Sequence, residues 1–458
     1  PALPTGLSMD SSTCTISGTP SAATSNTTYT VTANISGTIY QGTVWLATMT
    51  FGTITSPVMG ADLDLGEAMT PITLNYTSQA GNATVYNGNG TAWQVKNIGI
   101  GTTDSQNATG GASSDPRSLT ARGNTVFFVA NDKTHNHNFE LWKSDGTESG
   151  TVMVKDINPN LQNSAINELT VMGDTLYFTA NDGTHGVELW KSDGTESGTV
   201  MVKDIYNGSS TGAYGDLTVV GNTLYFSAND GTHGVELWKS DGTESGTVMV
   251  KDIQSGIQNG LYYNPSDLVK PVSIGNTLYF SANDGTHGFE LWKSDGTASG
   301  TVMVKEIYNG THPTYSPESL TVVGNTLFFF QQGNQPDGYG LFKSDGTESG
   351  TVRVLNIRGS NGELVAIGNT VYFVHTDEFA RQLIRELWKS DGTASGTVMV
   401  KDITTSTGGS QPDQLTAVGD TLYFRALVSA NSGLYKSDGT ASGTVLITDA
   451  LEGIQYMT

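Results

Sequence analysis

The tetrapeptide Ser-Asp-Gly-Thr occurs seven times, with its aspartates at Asp145, Asp193, Asp241, Asp295, Asp345, Asp391 and Asp438. The intervals between them are 48, 48, 54, 50, 46 and 47 residues. A near-constant period of this length means one supersecondary unit stacked on copies of itself. In the third unit, apolar runs at 217–220, 223–228, 235–239 and 247–253 are separated by Gly221-Asn222, Asn229-Asp230-Gly231 and Asp241-Gly242. Leu224 and Phe226 fall on one face of their run, Tyr225 and Ser227 on the other. Period-two alternation broken by Gly, Asn and Asp is the pattern of short strands joined by tight turns. No run carries a helical period. Four strands per unit predict a β-propeller, in which radial closure protects the sheet edges. The expected fold is therefore all-β: a seven-bladed β-propeller of four-stranded blades over 118–458, preceded by a small immunoglobulin-like β-sandwich.

Composition narrows the function. The 458 residues hold 22 Lys+Arg against 44 Asp+Glu, a formal charge of -22. A surface this acidic argues against nucleic acid as a partner, because phosphate binding needs a basic face. No stretch reaches the roughly 18 apolar residues of a membrane-spanning helix. Cys14 is the single cysteine, so neither an internal disulfide nor a zinc–cysteine site is available.

The extended motif is Glu-Leu-Trp-Lys-Ser-Asp-Gly-Thr, as at Glu188 to Thr195, followed by Gly198-Thr199 and Val202-Lys203-Asp204-Ile205. On these residues the repeats resemble the ELWxxDGT repeat family of surface proteins from marine microbes, over about three quarters of the chain. Units five and seven depart, with Gly340-Leu341-Phe342 and Gly433-Leu434-Tyr435, but keep an aromatic at the Trp position. The resemblance implies an extracellular or cell-surface setting.

Residues 1–116 differ in kind, with Lys96 as their one basic residue and six acids. Runs at 28–35 and 43–51 alternate in the manner of strands. The stretch PALPTGLSMDSSTCTISGTP followed by TYTVTA resembles the immunoglobulin-like He-PIG module of large surface proteins. It is read as an incomplete sandwich over 1–82. Residues 83–117 read as a worn half-repeat and linker, because ATVYNGNGTAWQVKNI resembles the last two strands of a unit. The expectation drawn from these partial modules is strand complementation between copies arranged head-to-tail. Pro1 and Leu3 of one copy would meet Ile454, Tyr456 and Met457 of the next.

Candidate chemistry lies in three places. Asp-Gly in each Ser-Asp-Gly-Thr is a hairpin signal, since Gly accepts positive φ and Asp bonds nearby amides. The recurrent Trp142, Trp190, Trp238, Trp292 and Trp388 read as packing between blades. The loop Asn-Asp-Gly-Thr-His-Gly supplies Asp182, Asp230 and Asp284 with His185, His233 and His287, and the fourth strand ends in Asp204 and Asp252. Both sets belong to one end of a propeller, where hard oxygen ligands could hold Ca²⁺. Turn capping accounts for the same aspartates, and no other cofactor is implied. Irregular loops in units five and six bring Tyr339, His375, Asp377, Arg381 and Arg385 to that end as a ligand face. Sequons for glycosylation stand at Asn26, Asn34, Asn75, Asn82, Asn89, Asn107, Asn207 and Asn309.

No nucleophile–base pair, phosphate loop or paired-carboxylate motif is present. The near-identity of units two to four suits a scaffold more than a catalytic pocket. The sequence-based expectation is thus a non-enzymatic extracellular structural protein, a head-to-tail filament or adhesive surface component. A propeller that binds or cleaves carbohydrate, reaching surface glycans, is the alternative.

Overall fold

The computed structural model describes residues 114–449, apart from 133–138, 160–163, 258, 262–269, 310–315, 333–338, 357–362, 378–383, 405–408 and 429–430. It also describes Val95, Lys96, Ile98 and four strands near the N-terminus. The chain divides into two compact units, Pro1–Lys96 and Asn97–Thr458. In the first, Leu7–Asp10 pairs antiparallel with Thr15–Gly18, and Thr24–Ile35 with Thr38–Thr48. The strand Thr24–Ile35 contains the expected run 28–35, and Thr38–Thr48 covers the expected run 43–51 as far as Thr48.

The second unit holds seven four-stranded antiparallel sheets, each in simple up-and-down order. Their strands run from Arg117 to Thr448. This is the seven-bladed all-β propeller. In blade two the strands are Asn167–Met172, Thr175–Asn181, Val187–Ser192 and Val200–Lys203. First strands of neighbouring blades pack against one another, which puts them innermost and the fourth strands outermost.

Alternation in the second strand feeds two seams at once. Leu176, Phe178 and Ala180 of blade two join Trp190 against Phe127, Val129 and Leu141 of blade one. Tyr177 of the same strand turns the other way, joining Leu189, Val202 and Ile205 against Leu224, Phe226, Ala228 and Trp238 of blade three. Both faces of each such strand are therefore buried, and a single-residue register slip would exchange one seam's side chains for the other's. The tryptophans are packing residues: Trp190, Trp238 and Trp292 are buried in seams between blades, and Trp142 is buried against Phe128, Ala130 and Ile98.

Polar ties repeat across the same seams. Lys191 Nζ donates to the Gly242 carbonyl at 2.9 Å, and Lys203 Nζ to the Thr247 carbonyl at 2.8 Å. Lys143, Lys239, Lys293 and Lys389 make the equivalent bond to the turn glycine of the next blade. The turn that presents those carbonyls is built by the Ser-Asp-Gly-Thr motif itself. Asp193 Oδ1 accepts from the Thr195 amide at 2.8 Å and from its hydroxyl at 2.7 Å, while Gly194 N donates to Ser192 Oγ. The aspartates are thus turn residues, and Thr147 lowers the Asp145 carboxyl below its usual range by donating hydroxyl and amide hydrogens.

Gly242 is required for two reasons. Its φ is +88°, and a Cβ there would collide with the Tyr177 hydroxyl of the preceding blade. We predict that Gly242→Ala costs roughly 1–2 kcal/mol for the backbone alone and more for the collision. Adding Tyr177→Phe should recover part of that loss in urea denaturation; no recovery would mean the backbone carries the whole cost.

Candidate functional site

One end of the propeller is formed by the loops that join second to third strands and fourth strands to the next blade. These loops are bonded together: Gly212 N donates to the Val187 carbonyl at 3.0 Å and Asn229 N to the Gly212 carbonyl at 2.8 Å. Beneath them lies the glutamate that opens Glu-Leu-Trp. Glu236 is fully buried. It accepts from Ile253 N at 3.0 Å, Gln254 N at 3.2 Å and Gly260 N at 3.0 Å. Glu188 and Glu290 hold the corresponding amides in their blades, and Glu386 holds the amide and hydroxyl of Ser410. Burial pushes Glu188 and Glu290 up to about 8 and Glu236 up to about 7, against the backbone N–H bonds that favour the ionised form. Sequence reasoning missed this role, although the signal was present in a glutamate recurring at one place in five units.

The loop aspartates face their own histidines. Asp182 Oδ2 lies 2.7 Å from His185 Nδ1, Asp230 Oδ2 2.8 Å from His233 Nδ1, and Asp284 Oδ2 2.8 Å from His287 Nδ1. The other oxygen of each accepts backbone amides two and three residues on. Burial raises the Asp230 carboxyl, but hydrogen bonds from Thr232 and His233 outweigh it and bring it to about 2. Each histidine is raised above its ordinary value by the aspartate it bonds. Asp204 and Asp252 each turn one buried carboxylate oxygen inward, with no hydrogen-bond partner among the described residues. Among those residues no group of three His, Cys, Asp or Glu side chains is arranged to hold a metal ion. Of the carboxylates expected to hold Ca²⁺, Asp182, Asp230 and Asp284 are engaged within their own loops, whereas Asp204 and Asp252 each keep that inward oxygen unengaged among the described residues.

Of the other expected site residues, His375, Asp377 and Arg385 share one hairpin of blade six, and Tyr339 stands on blade five. Tyr339 donates to Glu318 Oε2 at 2.7 Å and stacks on Phe330. His375 is buried edge-on to Trp388, with ring centroids 5.1 Å apart. Arg385 lies on the third strand of blade six and accepts from Gln411 N through its carbonyl. Asp377 ends the second strand of that blade, and its side chain is not described; Arg381 lies outside the described residues. Pro1, Leu3, Ile454, Tyr456 and Met457, and the sequons at Asn75, Asn82, Asn89 and Asn107, also lie outside them. Asn26 and Asn34 fall on the strand Thr24–Ile35, while Asn207 and Asn309 are exposed.

A second feature left no trace in the sequence. At one register position of the innermost strand, five blades place a non-glycine residue in the left-handed region: Ser118, Glu168, Asp216, Ser319 and Gln414, with φ between 53° and 60°. The threonine two residues on bonds back to each of their carbonyls, as Thr218 Oγ1 does to Asp216 at 3.1 Å. Thr218 and Thr321 also reach a carbonyl of the next blade's inner segment. Asp216 is pushed up to about 6 by burial and by the neighbouring Glu168, and Lys270 lies 4.0 Å from Glu168.

The He_PIG family, described as "Putative Ig domain", matches residues 1–51. No curated protein matches the chain. Among solved structures, a prolyl endopeptidase is 11% identical with a TM-score of 0.43, over 73% of this chain and 49% of that one. The puromycin-hydrolyzing peptidase of Mycobacterium tuberculosis is 10% identical, TM-score 0.42, over 75% and 54%. Oligopeptidase B of Leishmania major is 11% identical, TM-score 0.43, over 74% and 49%. The chain spans about half the length of these structures. At such identities the likeness is one of fold. All three are peptidases, and this finding corrects the expectation of a non-enzymatic structural filament or adhesin, which is withdrawn together with its carbohydrate-directed alternative.

Two predictions follow from the titratable groups. In a proton NMR titration His233 should titrate above 6.5, and Asp230→Asn should return it towards that value; an unchanged His233 would show that the pair does not form. Stability should fall between pH 5 and 8.5. The folded glutamates bind protons more tightly than unfolded ones, so their contribution is complete below about 4.5 and is lost as pH rises through about 7–8. The raised histidines change stability in the same direction. Replacing Glu188, Glu236 and Glu290 with Gln should flatten the slope of melting temperature against pH, whatever it does to the absolute value.

Proposed function

We propose that the propeller is a recognition domain whose axial end takes a ligand bearing ammonium or guanidinium groups. The observation that carries this reading is the row of strained polar residues on the innermost strands. A residue outside glycine held at positive φ costs about 1–3 kcal/mol, and such strain concentrates at sites of function. Here it recurs at one register position, and two successive members are acids, Glu168 and Asp216. Neighbouring acids on an acidic protein focus a field that favours cations. The same reading assigns the repeats, on their motif, to the ELWxxDGT family, and places the chain outside the cell as that resemblance implies.

The test is fluorescence anisotropy with labelled peptides of equal length, one rich in Lys and Arg and one rich in Glu. The basic peptide should bind at least tenfold more tightly at pH 7.5. Glu168→Gln with Asp216→Asn should remove most of that preference. Affinity should weaken as pH falls through about 6, where Asp216 takes up its proton. Equal binding of both peptides, or a preference that the double variant leaves intact, would overturn the proposal.

A further inference from the structure

Each second strand carries a buried phenylalanine, and the residue that follows it varies around the ring. It is apolar in blades one, five and six, as Val129, Phe330 and Val374. Blade two has Thr179, and blade seven has Arg425, which is paired with Asp413. Blades three and four are neighbours, and both carry serine there, Ser227 and Ser281. A serine leaves space that Val or Phe fills elsewhere.

A cavity of about 20 Å³ lies between these two blades. Phe226 and Leu237 of blade three and Phe280 of blade four give it apolar walls, and Asp216, Ser227 and Ser281 give it polar ones. Ser227 Oγ stands 3.3 Å from the Gly215 carbonyl and 3.4 Å from Asp216 Oδ2. Its one hydrogen serves those acceptors, and its oxygen keeps lone pairs of its own. Ser281 is 6% exposed, and its buried Oγ has no hydrogen-bond partner among the described residues. A hydroxyl buried in that state costs free energy, and a bound group that supplies a hydrogen removes the cost.

Size, charge and hydrogen-bonding capacity select the occupant. A volume of about 20 Å³ holds one group the size of a water molecule. The Asp216 carboxylate in the wall, with Glu168 acting on it from blade two, favours a cation over a neutral group. The polar walls present a carboxylate and two hydroxyl oxygens, and an ammonium brings three N–H donors and no acceptor. An ammonium is also compact and sits on an alkyl stem, which the phenylalanine and leucine walls suit. A guanidinium spreads its donors over a rigid planar fork and is too large for the space. Lys270, which lies 4.0 Å from Glu168, is largely exposed and does not line the cavity.

We propose that this cavity is a subsite for a primary alkylammonium group, such as the head of a lysine side chain, held by Asp216, Ser227 Oγ and Ser281 Oγ. The inference rests on reading Glu168 and Asp216 as a cation site, and it narrows the ligand from cations in general to ammonium over guanidinium.

The full chain is tested by fluorescence anisotropy at pH 7.5 with three labelled peptides of equal length and charge. One is rich in lysine, one in arginine and one in Nε-trimethyl-lysine, which keeps the charge but has no N–H to donate. The lysine peptide should bind roughly tenfold more tightly than either of the others, the scale of one hydrogen bond to a charged group. Ser281→Ala should bring that ratio to near one. Its melting temperature should not fall, because the hydroxyl removed has no partner among the described residues. Ser281→Val, which fills the cavity, should abolish the preference as well. Equal binding of the three peptides, lost in Glu168→Gln with Asp216→Asn, would overturn the subsite and leave the cation site standing; a lone water in the cavity gives this result. A lysine preference that both Ser281 variants keep would place the ammonium elsewhere and overturn the subsite too. Binding of none of the three would overturn both readings together.

Discussion

Everything in the propeller depends on the seam between blades. A four-stranded sheet of this size has two apolar faces and cannot bury either alone, so each blade completes its neighbours. Burial of Phe, Tyr, Trp and Leu at every seam supplies the non-directional part of the stability. The lysine–carbonyl bonds supply register: Lys191 finds the Gly242 carbonyl only when blade three sits at one height. A turn that looks local is therefore an interface element, and the aspartate of Ser-Asp-Gly-Thr acts on the next blade by shaping the carbonyl it presents.

The buried glutamates solve a different problem. The segment linking a fourth strand to the next blade crosses the end of the propeller with only isolated bonds to strand backbone, and its other amides need acceptors. Glu236 collects three of them from one place. Burial makes its charge costly, which is why its proton affinity rises, but removing the side chain would leave buried N–H groups without partners. Blades five and seven carry Gly340 and Gly433 at this position. The end of the propeller is thus asymmetric beneath its loops as well as within them.

The aspartates suggested as calcium ligands show how a loop can use up its own chemistry. Asp230 accepts from two backbone amides, a threonine hydroxyl and a histidine ring. A carboxylate so supplied has little left for a metal. The inner strands are the opposite case: Glu168 and Asp216 stand near one another in a conformation the backbone resists. A backbone cost repeated at one register position is the reason for reading function there and not in the loops.

The number of blades, the position of their strands and the turn role of Asp-Gly were all legible in the sequence, because each is a matter of local period and local backbone preference. The packing role of the tryptophans was legible too, since a large ring repeated in one register has few other uses. Tertiary structure alone decided which partner each polar group meets. The glutamate of Glu-Leu-Trp meets amides seventeen to twenty-four residues away, and Asp216 meets Glu168 from the previous blade. The strained position on the inner strands has no residue signature, being filled by Ser, Glu, Asp and Gln alike. The exposure of Val418 and Ile447 on blade seven was equally invisible, because they correspond to Val220 and Val202, which are buried. A repeat writes the same face seven times, and only the tertiary structure determines how deeply each copy is buried.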